Sequence, residues 1–167
     1  MKVSVAMVRE LRENTGAGVM ECKRALVDTQ GNMEKAIEFL RRGGLAITQK
    51  KANRQATQGV IEVYVHPGEQ IGAMVEVNCE TDFVARTDEF RELAHNLALQ
   101  VAAMSPQFVA PEDVPPEMDA APSEACLLLQ PFIKDTTKAV EDVITETIAR
   151  VRENVKVRRF ARFELGR

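Results

Sequence analysis

The sequence has few of the residues that catalysis, metal binding and disulfide bonding require. Its three cysteines, Cys22, Cys79 and Cys126, are odd in number, far apart and without a CxxC pair. This pattern argues against a disulfide framework and suits a reducing compartment. The two histidines, His66 and His95, have no cysteine or carboxylate partner at a metal-ligand spacing such as HExxH. We therefore expect the protein to need no metal and no other cofactor.

Long apolar runs and a strong net charge are also missing. No segment approaches the length that spans a bilayer, and the N-terminus has no apolar signal core. Glu10 and Glu13 argue against an organelle transit peptide. The net charge of −3 provides no overall basic field for nucleic acid. We therefore expect a soluble cytoplasmic protein that contacts neither a membrane nor, directly, nucleic acid.

Catalytic motifs do not occur either. The sequence contains neither the GxSxG nucleophile motif nor the phosphate-binding GxxxxGK[ST] loop. Gly16 and Gly18 resemble part of a dinucleotide-binding loop, but they follow a predicted helix, and Glu21 stands where the motif needs a third glycine. Cys79 has no basic residue beside it, which favours a buried structural thiol over a nucleophile. These features predict that the protein is not an enzyme.

The N-terminal residues 1–44 are predicted to form three short helices. Ser4 is suited to cap the first helix and Asn32 the third, and the pair Gly43-Gly44 is predicted to end the third. Apolar residues at helical spacing give each helix one inner face. A compact three-helix module of this size is typical of domains that bind polypeptide partners.

Residues 45–58 are predicted to be a linker. Lys50, Lys51 and Arg54 make this linker locally basic. Because the charges are few and no aromatic residues lie between them, a solvated helical connector is favoured over a nucleic-acid contact.

Residues 59–167 are predicted to form an α+β core. Apolar and polar residues alternate over 61–66 and 71–78, on either side of a turn at Pro67-Gly68. This alternation predicts an antiparallel hairpin with one buried face. A last strand over residues 155–165 completes a three-stranded antiparallel sheet, against which helices pack.

Helices are predicted between the hairpin and the last strand. Thr87 is suited to cap the first of them. Its apolar face, packed on the hairpin, comprises Phe90, Leu93, Ala94, Leu97 and Val101. Residues 105–122 are rich in proline, which predicts a loop with one helical turn. A short apolar helix over residues 123–130 follows, and then a helix that begins at Thr136 or Thr137.

Residues 78–86 connect the hairpin to the helix that Thr87 caps. Strand-to-helix loops often carry function, because a rigid scaffold positions them while their side chains stay accessible. Thr81 or Asp82 is suited to cap a helical turn here. Local chemistry alone predicts that Phe83 is a buried staple beside that cap.

Four segments, read together, point to a family. They are residues 8–26 (VRELRENTGAGVMECKRAL), 77–86 (VNCETDFVAR), 130–135 (QPFIKD) and 157–166 (VRRFARFELG). The first resembles the N-terminal module of the bacterial elongation factor Ts family, the second resembles its core signature, and the last two resemble its C-terminal region. Two long motifs and two shorter ones in the right order make chance a poor explanation.

The resemblance implies a function. Members of this family are guanine-nucleotide exchange factors for the translational GTPase elongation factor Tu. The resemblance implies that the N-terminal module has a ubiquitin-associated-type fold and docks on the nucleotide-binding domain of that GTPase. By position, Arg12 and Met20 belong to this contact.

The resemblance also implies a role for the second motif. Thr81, Asp82, Phe83 and Val84 form the stretch that the family associates with magnesium displacement in the GTPase. The Asp82-Phe83 pair is expected to enter between helices near the bound nucleotide. On this interpretation Phe83 is exposed and faces another protein.

The chain departs from the longer relatives. Long members of the family carry two similar core halves, whereas this chain has material for about one, like the short members that pair as dimers. We therefore predict a homodimer formed through the β-sheet of the core. Relatives usually place a long helical stretch with a protruding hairpin where this chain passes from Pro115 almost directly to Ser123.

Two other functions stay open from the residues alone. One is a peptide-binding adaptor that uses the three-helix module, with the core as a dimerisation domain. The other is an RNA-binding accessory protein. It would use Lys50, Lys51, Arg54 and a C-terminal basic cluster of Lys156, Arg158, Arg159 and Arg162. A charged edge strand protected against aggregation explains that cluster equally well.

Overall fold

Helices and strands follow one another along the chain in an α+β arrangement, seen in a computed structural model that describes residues 3–118 and 121–166. The first part contains α1 (Val5–Thr15), α2 (Val19–Asp28), α3 (Met33–Lys51), β1 (Gln58–Val65), β2 (Ile71–Cys79), α4 (Asp82–Ala85) and α5 (Asp88–Met104). The second part contains α6 (Pro122–Ala125), β3 (Pro131–Phe132), β4 (Asp135–Ala139), α7 (Val140–Val151) and β5 (Lys156–Glu164). The predicted fold class is confirmed.

The three N-terminal helices begin where the sequence predicts. The Ser4 hydroxyl accepts a hydrogen bond from the Met7 N–H at 3.2 Å, and the side-chain oxygen Oδ1 of Asn32 accepts one from the Lys35 N–H at 2.9 Å. Both predicted N-caps are therefore confirmed. The helices enclose a small core of their own, formed by the buried residues Leu11, Cys22, Ala25, Leu26 and Ala36.

Helix α3 does not end at Gly43-Gly44, so that prediction was wrong. The helix continues to Lys51, because its last two turns pack on the rest of the protein. Gly44 is buried, and the methyl group of Ala149 in α7 comes within 3.5 Å of the place where a Gly44 Cβ would lie. Ile47 packs against the main core one turn further on. The predicted linker over 45–58 thus consists of helix up to residue 51, with only a short connection before β1.

The core sheet has three strands in the order β1-β2-β5, and β2 pairs antiparallel with both neighbours. The predicted three-stranded antiparallel sheet is confirmed. One face of β2 is buried, through Ala73, Val75, Val77 and Cys79. Helix α5 covers this inner face, and its residues Phe90, Leu93, Ala94, Leu97 and Val101 are all buried, as predicted.

The outer face of the sheet is exposed and mostly apolar, except where Glu76 and Arg159 form an ion pair in the same cross-strand row as Ile61. In β1, Ile61, Val63 and Val65 point outward rather than into the core, and they share this face with Met74 of β2 and Phe163 of β5. The exposed fraction of these five residues lies between 46% and 73%. An antiparallel sheet that faces water usually carries polar residues on that side. The alternation in β1 therefore marks a second apolar face of the sheet.

The segment between α5 and α7 differs from the prediction in detail. Helix is limited to α6 and a 3-10 turn over Leu127–Leu129, rather than continuous over 123–130. Helix α7 begins at Val140, because Thr136 and Thr137 lie in β4, which pairs with β3. In the proline-rich segment the predicted helical turn is present at Pro111–Asp113. Positions 119 and 120 of that segment lie outside the described residues.

The continuity of α3 can be tested at Gly43. This residue is exposed within the helix, and no atom lies within 4 Å of the place where a Cβ would be. We expect Gly43→Ala to raise the free energy of unfolding by about 0.5–1 kcal/mol, because alanine loses less backbone entropy in a helix than glycine does. Urea unfolding followed by circular dichroism measures the change.

Gly68 provides a matched control for this test. It is equally open, but it lies in the turn between β1 and β2 at a φ of +96°, where alanine is strained. Gly68→Ala should therefore destabilise the protein. A loss of stability in Gly43→Ala as well would mean that the chain turns at the glycine pair.

Candidate partner-binding site

Residues 80–86 form the loop that joins β2 to α5, and α4 is a single helical turn within it. The Thr81 hydroxyl accepts a hydrogen bond from the Val84 N–H, so Thr81 is the N-cap of this turn. Val84 packs against the main core and Ala85 is buried. Since one turn has only one inner side, Phe83 points away from the core.

Phe83 is 77% exposed, so the prediction from local chemistry of a buried staple was wrong. The inward positions are already occupied by Val84 and Ala85. Single exposed apolar residues are common on protein surfaces, so the exposure alone does not assign a contact to Phe83. The exposure agrees with what the family resemblance implied.

Asp82, beside Phe83, is bound within its own turn. Its carboxylate forms an ion pair with Arg86 at 2.8 Å, one helical turn further along the chain. About half of the Asp82 side chain and most of that of Arg86 are exposed. An exposed pair of this kind contributes little to stability, so Asp82 can exchange its partner at small cost.

The backbone of the loop is fixed by Glu153, which lies just beyond the end of α7. One carboxylate oxygen accepts hydrogen bonds from the N–H groups of Glu80, at 3.1 Å, and Thr81, at 2.9 Å. The other accepts the Thr81 hydroxyl at 2.7 Å. Sequence analysis missed this residue, because nothing in the local pattern links positions 72 residues apart.

The Glu80 side chain makes a second connection between the same segments. Its carboxylate accepts a hydrogen bond from the Asn154 N–H at 2.7 Å and lies 3.4 Å from the Arg54 guanidinium and 4.0 Å from the Lys51 ammonium. The buried side-chain amide of Asn154 in turn donates hydrogen bonds to the backbone carbonyl groups of Ala52 and Arg54. The end of α3, the loop and the α7–β5 turn are therefore joined by one polar network.

This network lowers the pKa of Glu80 below its ordinary value of 4.5. Burial works in the opposite direction, because it disfavours the charged carboxylate. The Asn154 N–H and the cations of Arg54 and Lys51 outweigh burial. Lys51 and Arg54 thus have an internal partner, which weakens the case for a nucleic-acid contact at this segment.

Cys79 ends β2 immediately before the loop. Its thiol is buried and donates to the Thr81 carbonyl oxygen at 3.1 Å. Burial, together with the nearby charge of Glu153, raises the pKa of Cys79 to about 11. The prediction of a buried structural thiol is therefore confirmed, since so little thiolate forms near neutral pH.

Arg12 and Met20, the two predicted contact residues of the N-terminal helices, are both exposed. Arg12 lies in α1, and Met20 lies in the first turn of α2 with 73% of its surface exposed. Within residues 3–118 and 121–166, no hydrogen bond or ion pair joins either residue to the loop. Their neighbour Glu21 does form an ion pair with Arg152 at the end of α7.

The C-terminal basic cluster is largely paired. Arg158 and Arg159 both form ion pairs with Glu76, at 3.7 and 2.8 Å. Arg162 pairs with Glu164 at 2.8 Å and donates to the carbonyl oxygen of Ala102. The two carboxylates, Glu76 and Glu164, neutralise two of the four positive charges of the cluster, which weakens the case for an RNA-binding surface.

An apolar groove lies between the N-terminal helices and α7. Its volume is about 760 Å³, and its wall includes Ile37, Leu40 and Leu45 from α3 and Ala149 from α7. Met20 and Phe83 do not line it. A peptide-binding adaptor would use a groove of this kind, which is thus separate from the two sites that the family resemblance indicates.

Two further observations concern ligands and membranes. In the part of the chain that the structure describes, no group of three or more histidine, cysteine or acidic side chains is placed to hold a metal ion. Among these same residues, no helix combines the length and the apolar character that crossing a bilayer requires.

Comparisons with known proteins agree with the family resemblance of the sequence. Residues 5–123 match the family model described as Elongation factor TS. Elongation factor Ts of Carboxydothermus hydrogenoformans is 48% identical in an alignment 194 residues long, which includes 98% of this chain and 89% of that protein. The proteins of that name from Moorella thermoacetica and Thermotoga maritima are each 46% identical, covering 98% and 99% of this chain and 96% and 98% of their own lengths.

These matches place the chain among the translation elongation factors. It belongs to the elongation factor Ts family. The aligned region of 194 residues is longer than the 167 residues of this chain, so the relatives carry residues that have no counterpart here. The match to the family model ends at residue 123, next to the place where the sequence predicted a shortening.

The lowered pKa of Glu80 predicts how acid affects the fold. Because the pKa is lower in the folded chain than in the unfolded one, Glu80 stabilises the fold above its unfolded pKa, and this contribution is lost as pH falls through the folded pKa. Glu80→Gln should therefore lower the free energy of unfolding at pH 7 by about 1–2 kcal/mol, and the difference from the parent should shrink below about pH 4.

Urea unfolding of both proteins at several pH values measures this difference. Glu117→Gln, at an exposed position, shows the effect of removing one negative charge alone. A deficit in Glu80→Gln that stayed constant down to pH 3 would contradict the role assigned to the Glu80 carboxylate.

Proposed function

We propose that the chain is a guanine-nucleotide exchange factor for the translational GTPase elongation factor Tu. The observation that carries the proposal is Phe83, an exposed aromatic residue on a turn whose backbone is fixed by Glu153. Buried aromatic residues are the usual energetic centres of protein interfaces, and a pre-ordered one loses little entropy on binding. Family membership indicates the GTPase as the partner.

The proposed mechanism is a wedge. Asp82 and Phe83 enter the GTPase between helices near the nucleotide and displace the magnesium ion that helps to hold the phosphates. Loss of this cation removes the largest positive charge at the phosphates, so GDP dissociates faster. By linkage, a factor that binds the nucleotide-free GTPase more tightly must itself be released when nucleotide returns.

The four residues of the motif have different roles in this proposal. Thr81 and Val84 face inward, one bound to Glu153 and the other packed on the core, so they hold the turn in place. Phe83 supplies the contact, and Asp82, released from Arg86, can accept a hydrogen bond from the partner. No covalent step is needed, which is consistent with a factor that is not an enzyme.

The N-terminal helices provide a second contact in this proposal. They dock on the nucleotide-binding domain of the GTPase through Arg12 and Met20, which are exposed on α1 and α2. A second contact surface on the same rigid molecule raises the affinity without taking part in the opening of the nucleotide site.

The wedge predicts a specific defect in Phe83→Ala. The increase in the rate of fluorescent GDP release from elongation factor Tu should be at least tenfold smaller with the variant than with the parent. A loss of this size is typical of a residue at the centre of an interface. Its free energy of unfolding should change by less than about 0.5 kcal/mol, because the side chain is exposed.

Met118→Ala is the matched control, since Met118 is another exposed apolar residue outside the loop. It should exchange like the parent. If Phe83→Ala released GDP at the parental rate, the wedge mechanism would be wrong. If the parent had no effect on release but bound peptides, the adaptor function would be favoured.

We further propose that the protein is a homodimer in which two copies pack their sheets together. The outer face carries Val63, Met74 and Ala161 in one cross-strand row, and Val65, Gly72 and Phe163 in the next. A second copy of the same apolar face can cover both rows, because two sheets of this kind pack with their strands nearly aligned. A second copy is therefore the occupant that best explains this face.

The dimer predicts the effect of a charge at its centre. Val63→Glu should weaken dimerisation at least a hundredfold, because a carboxylate would be buried without a partner. Thr136→Glu adds the same charge at an exposed position of β4 and should leave the dimer intact. Sedimentation velocity distinguishes the species, and a monomeric parent at working concentration would refute the proposal.

A further inference from the structure

Three consecutive residues after α7 contact three different parts of the molecule. Arg152, at the end of the helix, has a φ of +61° and pairs with Glu21 of α2. Glu153 binds the loop, and Asn154 binds the end of α3. The left-handed conformation at Arg152 turns the chain so that the next two side chains meet segments from the first half of the sequence.

Glu153 satisfies an unusual concentration of donors. Two adjacent backbone N–H groups and one hydroxyl converge on its carboxylate, at 3.1, 2.9 and 2.7 Å. Hydrogen bonds to a charged acceptor are stronger than those between neutral groups. Together they fix the peptide planes before and after Glu80, the second of which ends at Thr81, two residues before Phe83.

The orientation of Phe83 depends on these planes. Helix α4 has only four residues, and Thr81 is its N-cap. The direction of so short a turn depends on the backbone that enters it, in addition to the inward side chains of Val84 and Ala85. A change in the backbone conformation at residues 80–81 would therefore reorient the Phe83 side chain.

We propose that Glu153 is a positioning residue for nucleotide exchange: its carboxylate holds the backbone at Glu80 and Thr81 so that α4 presents Phe83 to the GTPase. The inference rests on the proposed exchange function and assigns a role within it to a residue that does not touch the partner. Glu153 is half-buried behind the loop.

The test is release of fluorescent GDP from elongation factor Tu over a range of factor concentrations. It gives a maximal rate and a half-saturating concentration for each protein. Glu153→Ala should lower the maximal rate on the order of tenfold, because a wrongly oriented Phe83 reduces the rate of release rather than the affinity. The half-saturating concentration should change less than about threefold.

Conservative variants separate geometry from mere stability. Glu153→Gln keeps an oxygen for the two backbone N–H groups and an amide that can donate to the Thr81 hydroxyl, so it should retain the maximal rate within about threefold. Glu153→Asp keeps the charge but is one methylene shorter, and should fall between the parent and Glu153→Ala. Glu141→Ala, at an exposed glutamate of α7, should exchange like the parent.

A double-mutant cycle tests whether Glu153 acts through Phe83. In the Phe83→Ala background, Glu153→Ala should change the maximal rate less than about twofold, because there is no longer an aromatic side chain to aim. Amide hydrogen exchange at Glu80 and Thr81 should be faster in Glu153→Ala than in Glu141→Ala. If Glu153→Ala does not fold, Glu153→Asp takes its place in the cycle.

The outcomes distinguish the two proposals. A parent that does not accelerate GDP release refutes the exchange function itself. A parent that accelerates release while Glu153→Ala reaches the parental maximal rate refutes the positioning role alone. The positioning role is also refuted if the tenfold loss persists undiminished in the Phe83→Ala background.

Discussion

A carboxylate that binds two adjacent backbone N–H groups fixes the orientation of two successive peptide planes. In this protein Glu153 does so for the loop that carries Phe83, and Asn154 beside it binds the end of α3. The loop would otherwise depend on a four-residue helical turn and two inward side chains. The Glu80 network and the inward side chains of Val84 and Ala85 also hold the loop on the core, and Glu153 is the side chain that binds the N–H groups of Glu80 and Thr81.

Features that depend on neighbours in sequence could be predicted from the sequence. Ser4, Asn32 and Thr87 have short polar side chains directly before helical apolar patterns, and each caps the helix expected of it. The inner face of α5 and the strand β5 follow from periodicity in the same way. In these segments the local preference and the global fold agree.

Features set by contacts distant in sequence could not be predicted. Gly43-Gly44 is a plausible helix end by itself, yet the packing of Ala149 against Gly44 and of Ile47 on the core carries α3 through it. The contact between Glu153 and Thr81 has no local signature at all. Phe83 shows the same limit: a single helical turn does not reveal which of its residues face inward, and only the family resemblance indicated its exposure.

The long sequence separation at the loop has a consequence for biosynthesis. A ribosome adds Thr81 to the growing chain 72 residues before it adds Glu153. Helices α1 and α2, the first part of α3 and the β1–β2 hairpin can form as soon as they emerge, since their contacts are local. The loop, by contrast, can adopt its final shape only when the segment after α7 has been made. A nascent chain therefore carries the Phe83 motif through the synthesis of the next 72 residues before the contact with Glu153 can form.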